Sequence, residues 1–179
     1  MGSLMDLVAG DVRDIELVLS IDDIAAFDDP DRFTAHLTLG GGLDPTWLDL
    51  FSEAVRGVTG DDDPVDFLDA RTELPGATAA SERIVERVDP GWVAAVARID
   101  DERVGPVAAR WIELLEEELG KLGREDKPWI RDLVARIVSF ARHAGTDPVV
   151  FAWAFCRPKR PALVVVRHSR IRNPAEMLH

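Results

Sequence analysis

The residue types that most often carry chemistry are sparse in this chain, and their spacing matches no known site. The histidines are His36, His143, His168 and His179, and no two of them are placed to share one face of a helix. The His-Glu-x-x-His pattern that binds zinc is absent from the sequence. His143 falls in the last turn of a predicted helix, where the helix dipole stabilises a cation. The histidines therefore indicate no metal site.

The single cysteine, Cys156, excludes an intrachain disulfide and fits a reducing, cytoplasmic compartment. It ends an apolar segment, which favours a buried small side chain over a nucleophile. A pairing of Cys156 with His143 or His168 in space stays open, because sequence order does not show which residues meet. The Gly-x-Ser-x-Gly motif of serine hydrolases is absent. We therefore predict no catalytic residue, and we expect a protein that is not an enzyme.

The glycine run 40–42 precedes a predicted helix, which is where phosphate groups bind in many proteins. It lacks the lysine of a phosphate-binding loop, and Asp44 occupies the position that an anion would take. The acidic runs lie before predicted helices and lack the alternating oxygen ligands and bend glycine of a calcium loop. These runs are 22–23, 28–31, 61–63 and 100–102. We predict no cofactor and no metal ligand.

Tryptophan follows an aspartate and a proline at three predicted helix starts. Asp44-Pro45-Thr46-Trp47 and Asp89-Pro90-Gly91-Trp92 share one pattern, and Asp126-Lys127-Pro128-Trp129 is a looser version. Aspartate caps free N–H groups, and proline at the first helical position removes no needed donor. The five tryptophans, which also include Trp111 and Trp153, fall on predicted apolar faces and are expected to fill the core. Because tyrosine is absent, the alternative is that one or two of them line a groove.

Hydrophobic periodicity predicts a predominantly helical α+β fold with a small sheet. Helices are predicted over 12–19, 24–27, 31–37, 45–58, 65–70, 90–98, 101–119 and 128–143, with loops over 38–42 and 74–78. The first of these is ambiguous between helix and strand, and its periodicity favours a helix. Strands are predicted over 83–88, 148–156 and 162–167. Residues 1–5 look like a cloning remnant outside the fold, 6–156 form one domain, and 157–179 form a basic extension.

The charge of the chain is divided unevenly. The net charge is −12, yet residues 157–179 hold six basic residues against Glu176, which leaves −17 on the remainder. Such an acidic body is repelled by nucleic acid. No apolar run is long enough to span a membrane, and no secretory signal begins the chain. The basic extension folds back on its own domain, meets a second copy, or binds an anionic partner, and these alternatives stay open.

The order of elements resembles the YfbM-like family, small bacterial proteins without an assigned activity. The likeness covers residues 40–155, and the pieces that carry it are 43–47 with 58–60, 63–65, 83–90, 137–143 and 149–153. The family's tryptophan is followed by histidines on the same helix, whereas Leu48 and Phe51 stand in those places here. Residues 156–179 have no counterpart. The resemblance implies a single α+β domain and transfers no functional residue.

These observations predict a bacterial, cytoplasmic interaction or regulatory module that self-associates and binds neither nucleic acid nor membrane. The segment Ala162 to Val166 is suited to add as a strand to the sheet edge of a second copy. One alternative is an enzyme of unrecognised class with a pocket of scattered Asp, Arg and His. Another is an acidic protein that binds a basic protein partner.

Overall fold

A five-stranded antiparallel sheet lies between two layers of helices in the computed structural model, which describes residues 4–40 and 43–154. The strands are β1 (Leu4–Gly10), β2 (Phe33–Thr38), β3 (Arg71–Glu73), β4 (Ile84–Val88) and β5 (Val149–Ala154). Their spatial order is β2-β1-β5-β4-β3. The first and last strands of the described chain are therefore neighbours at the centre, and β2 and β3 form the edges.

Six α-helices and one short 3-10 helix cover the two faces of the sheet. They are α1 (Val12–Ser20), the 3-10 helix (Ile24–Asp28), α2 (Trp47–Thr59), α3 (Pro75–Ala80), α4 (Pro90–Ala97), α5 (Asp101–Leu119) and α6 (Asp126–Ala144). Helices α2, α4, α5 and α6 build the larger core on one face. Helices α1 and α3 and the 3-10 helix build a smaller core on the other. The α+β class predicted from the sequence is confirmed.

Strand β1 contributes to both cores because successive side chains of a strand point to opposite faces. Met5, Leu7 and Ala9 pack into the larger core, and Val8 packs into the smaller one. By the same alternation Asp6 lies on the smaller-core face, where its side chain is almost fully buried. A carboxylate on a central strand must find partners there, since an unpaired buried charge is costly.

Two tryptophans anchor the larger core as predicted. Trp92 and Trp111 are buried, and each indole N–H has a partner. The Trp92 indole donates to the Ser52 hydroxyl at 2.9 Å, and that of Trp111 donates to the Trp47 carbonyl at 2.9 Å. The other three, Trp47, Trp129 and Trp153, are partly buried and pack against the same core. The tryptophans therefore help to hold the helices on this face of the sheet.

Most predicted helices are confirmed, and their ends follow the expected chemistry. The carboxylates of Asp11, Asp89 and Asp100 accept hydrogen bonds from the first free N–H groups of α1, α4 and α5. Gly60 ends α2 in the left-handed conformation, with φ of 75°. No helix in the described part of the chain is long and apolar enough to cross a membrane.

The cap assignment is wrong at two of the three tryptophan-bearing helices. Helix α2 begins at Trp47 with Thr46 at its N-cap, and the Asp44 carboxylate instead holds the preceding turn through the Thr46 N–H and hydroxyl. Asp126 is itself the first residue of α6, and its carboxylate accepts from the Gly123 N–H at 2.9 Å. Both carboxylates still hold the turn that leads into a helix.

Several predicted elements are wrong. Residues 31–37 were expected to be helical, but β2 forms there because Phe33 and Leu37 become buried through pairing with β1. Residues 65–70 form no helix, with a turn over 67–70, and 75–80 form α3 where a loop was expected. Strands β1 and β3 were not predicted. The predicted strand 162–167 and the extension 157–179 lie outside the described residues.

The exclusion of residues 1–5 from the fold is wrong for its last two residues. Leu4 begins β1, opposite Ala154 in the register with β5. Met5 has no exposed side-chain surface and belongs to the larger core. A methionine in the central strand contributes to the folding energy, since burial of such a side chain is worth about 1.5–3 kcal/mol.

Candidate functional site

Strand β2 forms an open edge of the sheet, and within residues 4–40 and 43–154 it pairs only with β1. It is six residues long and contains neither lysine nor proline. Both residue types, when they stand on an edge strand, hinder its pairing with a strand of another chain. The opposite edge, β3, has only three residues. Of the two edges, β2 is therefore the one suited to receive another strand.

The register with β1 shows which main-chain groups of β2 face outward. The Leu39 N–H donates to the Met5 carbonyl at 2.9 Å, so this pair is hydrogen-bonded. In an antiparallel ladder hydrogen-bonded pairs recur every second residue, which makes Leu37 and Ala35 the next inward residues. Thr34, His36 and Thr38 alternate with them and direct their N–H and C=O groups away from β1. Consistently, the Arg136 guanidinium donates to the Thr38 carbonyl at 3.1 Å.

Helix α6 overhangs this edge and makes it into a groove of about 320 Å³. The strand side of the groove is residues 34–37, and the helix side is Arg136, Ser139, Phe140 and His143. Three of the four helix residues are exposed and polar, and they recur at the spacing of one helix face. The Nδ1 atom of His143 lies 2.7 Å from the Ser139 carbonyl, so this histidine is held against its own helix.

The two ends of the groove carry opposite charges. At one end, the positive Arg136 is bonded to the Thr38 carbonyl. At the other end, the Thr34 hydroxyl donates to the carboxylate of Asp147. Both charged residues are exposed. The groove therefore has a direction, from a basic end at Thr38 to an acidic end at Thr34.

A buried charge cluster supports β2 from the smaller-core face. The Asp6 carboxylate accepts from Arg83 Nη1 at 2.7 Å and from the Thr38 hydroxyl at 2.8 Å, and it lies 3.2 Å from His36 Nε2. The other ring nitrogen, Nδ1 of His36, lies 2.9 Å from the Asp28 carboxylate. His36 thereby connects the edge strand to the central strand and to the 3-10 helix.

The pKa values of this cluster move in the directions that pairing requires. Burial alone raises the pKa of Asp6, but hydrogen bonds from His36, Thr38 and Arg83, with the Arg83 charge, outweigh it and lower the pKa. Burial alone lowers the pKa of His36, but hydrogen bonds and attraction to Asp6 and Asp28 outweigh it and raise the pKa. The two carboxylates therefore stabilise the protonated imidazole of His36 relative to that of a free histidine.

This cluster has the residue types of an acid–base site, but its polar atoms are already paired with one another. Both ring nitrogens of His36 face carboxylates, and the Thr38 hydroxyl gives its hydrogen to Asp6. In the described part of the chain no buried side-chain N or O atom lacks a hydrogen-bond partner. Nor do those residues place three or more His, Cys, Asp or Glu side chains where they could hold a metal ion. The cluster is arranged to position β2.

A larger depression of about 650 Å³ lies beside Arg83, between the end of α1 and the segment from α3 to β4. Its lining includes Asp22, Glu82 and Arg83 but no histidine. The Arg83 guanidinium is turned toward Asp6 at 2.7 Å, with Asp22 farther away at 3.8 Å. The depression therefore gathers acidic and basic groups, and its arginine is already paired with Asp6.

The structure brings some of the candidate residues from the sequence together, and others lie outside the described residues. His36 and His143, which the sequence does not connect, line the same groove. The Asp28 carboxylate, expected to serve a helix start, instead holds His36. Cys156, His168, His179 and the glycines at 41 and 42 lie outside the described residues.

Sequence reasoning missed the residues that build the site. These are Asp6, Arg83, Arg136 and Asp147, which come from four separate parts of the chain. One signal was available: Asp6 is a lone charge within the otherwise apolar run from Leu4 to Ala9. A charge in such a run indicates a buried polar contact.

No family model matches the chain, and the searches of curated proteins and of solved structures found no match. The resemblance to the YfbM-like family stays a prediction.

Proposed function

We propose that this protein is an interaction module that self-associates by pairing the open edge of β2 with β2 of a second copy. The observation that carries the proposal is the outward direction of the main-chain groups of Thr34, His36 and Thr38 on a six-residue edge without lysine or proline. Arg136, which now bonds the Thr38 carbonyl, must release it when the second strand pairs there. Addition of a strand to such an edge is a common mode of protein recognition. Two copies joined in this way share one ten-stranded sheet.

A two-fold axis through His36 makes the pairing self-complementary. It places His36 opposite the partner's His36, and Thr34 opposite the partner's Thr38. The same symmetry brings the acidic end of one groove, at Asp147, beside the basic end of the other, at the partner's Arg136. Opposite charges therefore meet at both ends of the paired strands, which favours this antiparallel register.

The expected affinity is modest. Each main-chain hydrogen bond contributes about 0.5–1.5 kcal/mol net, and docking two molecules costs several kcal/mol in lost freedom. Each copy also carries a net charge of −12, so the copies repel one another at low ionic strength. We expect a reversible monomer–dimer equilibrium that salt does not abolish.

A charge-reversal pair tests the proposed register. Arg136→Glu places two carboxylates at each end of the dimer and is expected to weaken self-association of the full chain roughly tenfold. Adding Asp147→Arg to that variant reverses both partners and is expected to restore the dimer. Sedimentation over micromolar to sub-millimolar concentrations measures the dissociation constants. Arg131→Glu is the matched control, since it changes the same charge at an exposed position of α6 outside the groove.

A second pair tests the main-chain bonds themselves. Thr34→Pro removes an outward N–H, and by symmetry it removes two hydrogen bonds from the dimer, worth about 1–3 kcal/mol together. Thr34→Ala loses the same contact with Asp147 but keeps the N–H, and it is expected to dimerise nearly as well as the unchanged protein. A full chain that stays monomeric throughout the range, or equal weakening by Arg131→Glu and Arg136→Glu, overturns the proposal.

A further inference from the structure

We infer that His36 ties the 3-10 helix (Ile24–Asp28) to β2 only while its imidazole is protonated, so that a rise in pH releases this helix and weakens the β2 edge for self-association. The second half of the inference rests on the proposed function, because it names a regulation of that same edge. The first half concerns the fold of the single chain.

The imidazole of His36 lies between carboxylates from two elements. Its Nε2 atom is 3.2 Å from Oδ1 of Asp6 on β1, and its Nδ1 atom is 2.9 Å from Oδ1 of Asp28 on the 3-10 helix. A neutral imidazole has one N–H group and one lone pair, so it donates to only one of the two carboxylates. The other ring nitrogen then faces a carboxylate with its lone pair, and the two repel. Only the protonated ring bonds to both elements.

The two carboxylates differ in exposure, and this difference decides which contact breaks. The Asp6 side chain is 4% exposed and also accepts from Arg83 and Thr38, whereas the Asp28 side chain is 78% exposed. Water can replace the lost hydrogen bond at an exposed carboxylate but not at a buried one, where the loss is more costly. The proton therefore leaves Nδ1, the Nε2–H group stays on Asp6, and the Asp28 carboxylate turns to solvent.

Charged groups approach His36 from both faces of β2, and two of them act on its ring. They are Asp6 on β1, Asp28 on the 3-10 helix, Arg83 and Asp22 behind Asp6, and Arg136 and His143 on α6. Arg83 is paired with Asp6, and Arg136 is bonded to the Thr38 carbonyl. Burial lowers the pKa of His36, but Asp6 and Asp28 raise it by more, so the ring loses its proton above the ordinary histidine pKa of about 6.5.

The 3-10 helix depends on few contacts with β2. It is five residues long, and the carboxylate of Asp23 at its N-cap makes no cap hydrogen bond. Helices of this type have poor hydrogen-bond geometry and are seldom longer. Its buried residue, Phe27, packs edge-on against Phe33 of β2, with 5.1 Å between the ring centroids. Release of Asp28 therefore leaves the packing of Phe27 as the main side-chain contact between this helix and β2.

The 3-10 helix leads directly into the first residues of β2. The Phe33 N–H donates to the Asp29 carbonyl at 3.0 Å, and Thr34, the next residue, has an outward N–H group. A released 3-10 helix leaves this end of β2 less ordered, and ordering it again in a dimer costs conformational entropy. Dimerisation is therefore expected to weaken as His36 loses its proton, while β2 stays paired with β1.

Nitrogen-15 NMR of the full chain in dilute solution follows the ring and the helix in one titration, from about pH 6 to about pH 9. Nδ1 of His36 is expected to move to the chemical shift of an unprotonated ring nitrogen, while Nε2 keeps its proton. The Ala26 and Asp29 amides donate within this helix, to Asp23 and Ala26. Their protection, relative to the intrinsic exchange rate at each pH, is expected to fall roughly threefold to tenfold. Sedimentation is expected to show a dimer dissociation constant that rises roughly threefold over the same range.

Asp28→Asn separates this control from general effects of pH. An asparagine side chain accepts from a protonated Nδ1 and donates to an unprotonated one, so the contact with His36 is kept at every pH. In this variant the amide protection and the dissociation constant are expected to stay constant. Asp23→Asn is the matched control, since it removes the same charge from an exposed side chain at the other end of the helix. It is expected to keep the pH dependence of the unchanged protein.

The outcomes separate this inference from the proposed function. Constant protection of Ala26 and Asp29, loss of the proton from Nε2, or equal behaviour of Asp28→Asn and Asp23→Asn overturns the inference and leaves self-association standing. A dimer that does not weaken as the protection falls overturns the regulation of the edge. A fall in protection without a dimer at any pH supports the release of the 3-10 helix and removes the proposed self-association.

Discussion

The two faces of the sheet are held by different kinds of contact. Of the three buried polar or charged residues in the described part of the chain, Asp6 and Arg83 lie on the smaller-core face and Ser52 lies beneath the larger core. The larger core is built from aliphatic and aromatic side chains. On the smaller-core face, the apolar side chains lie beside the ion-paired cluster of Asp6, His36 and Arg83. Packing dominates the first face, although that face also holds the Arg71–Glu86 ion pair, at 2.6 Å, beside Phe67 and Phe151. The second face combines packing with a cluster built around a buried carboxylate.

This difference suits the roles of the two faces. Packing tolerates small shifts in orientation, whereas hydrogen bonds to carboxylates require defined distances and angles. The edge strand β2 must be held in register if its outward groups are to meet another strand. The contacts of Asp6 with His36 and Thr38 hold β2 in that register from the smaller-core face of the sheet.

The largest effect is expected from breaking the packed face. Trp111→Ala removes a fully buried indole and leaves a cavity among α2 and α5, which is expected to lower the free energy of unfolding by about 3–5 kcal/mol. Urea denaturation followed by circular dichroism measures the change. Trp129→Ala, at a partly buried position of the same core, should cost clearly less. Equal losses in the two variants would contradict the dominance of deep packing.

A smaller loss is expected from breaking the ion-paired face. Arg83→Met keeps the aliphatic volume but removes the charged donor of Asp6, which is expected to lower the free energy of unfolding by about 2–3 kcal/mol. The control is Arg87→Met, which changes an exposed arginine in the adjacent strand β4. If both variants lost the same stability, the ion pair would contribute nothing specific.

The single buried hydroxyl of the packed face gives a finer comparison. Ser52→Ala removes the acceptor of the Trp92 indole N–H and is expected to lower the free energy of unfolding by about 1–2 kcal/mol. Thr59→Ala is matched to it, because both hydroxyls donate to the carbonyl four residues earlier in α2 and only Ser52 accepts an indole. Thermal unfolding should give a lower midpoint for Ser52→Ala than for Thr59→Ala. Coincident curves would mean that the hydrogen bond from the Trp92 indole does not stabilise the fold.

The cluster of Asp6 and His36 should give the ion-paired face a pH dependence of its own. The folded pKa of His36 is raised, so its stabilisation is complete below the unfolded value of about 6.5 and is lost as pH rises through the folded value. The folded pKa of Asp6 is lowered, so its contribution is present above the unfolded value of about 3.9 and is lost as pH falls through the folded value.

Urea denaturation across this pH range measures the effect. His36→Gln is expected to remove the decline on the alkaline side, whereas Trp111→Ala should keep the slope of the unchanged protein. A His36→Gln variant with an unaltered slope would place the titrating group elsewhere.

Local sequence determined the helices of the larger core and the strand β5. In α2 the residues Leu48, Phe51 and Val55 recur at helical spacing, and a left-handed glycine follows, so the signals lie within one segment. Strand β2 shows why the edge was harder to predict. Phe33 and Leu37 suit a helical face and an alternating strand equally, and only pairing with β1 decides between them.

What the sequence by itself determined was the existence and apolar faces of the larger-core helices, because these depend on neighbours within a few residues, and the uneven charge, which is a matter of composition. Only the tertiary structure decided that Met5 belongs to the core, that Asp6 meets His36 and Arg83, and that β2 lies at an edge of the sheet formed by the described residues. These contacts join residues 30 and 77 positions apart. Such pairings arise from sheet topology, which brings distant segments together after local structure has already formed.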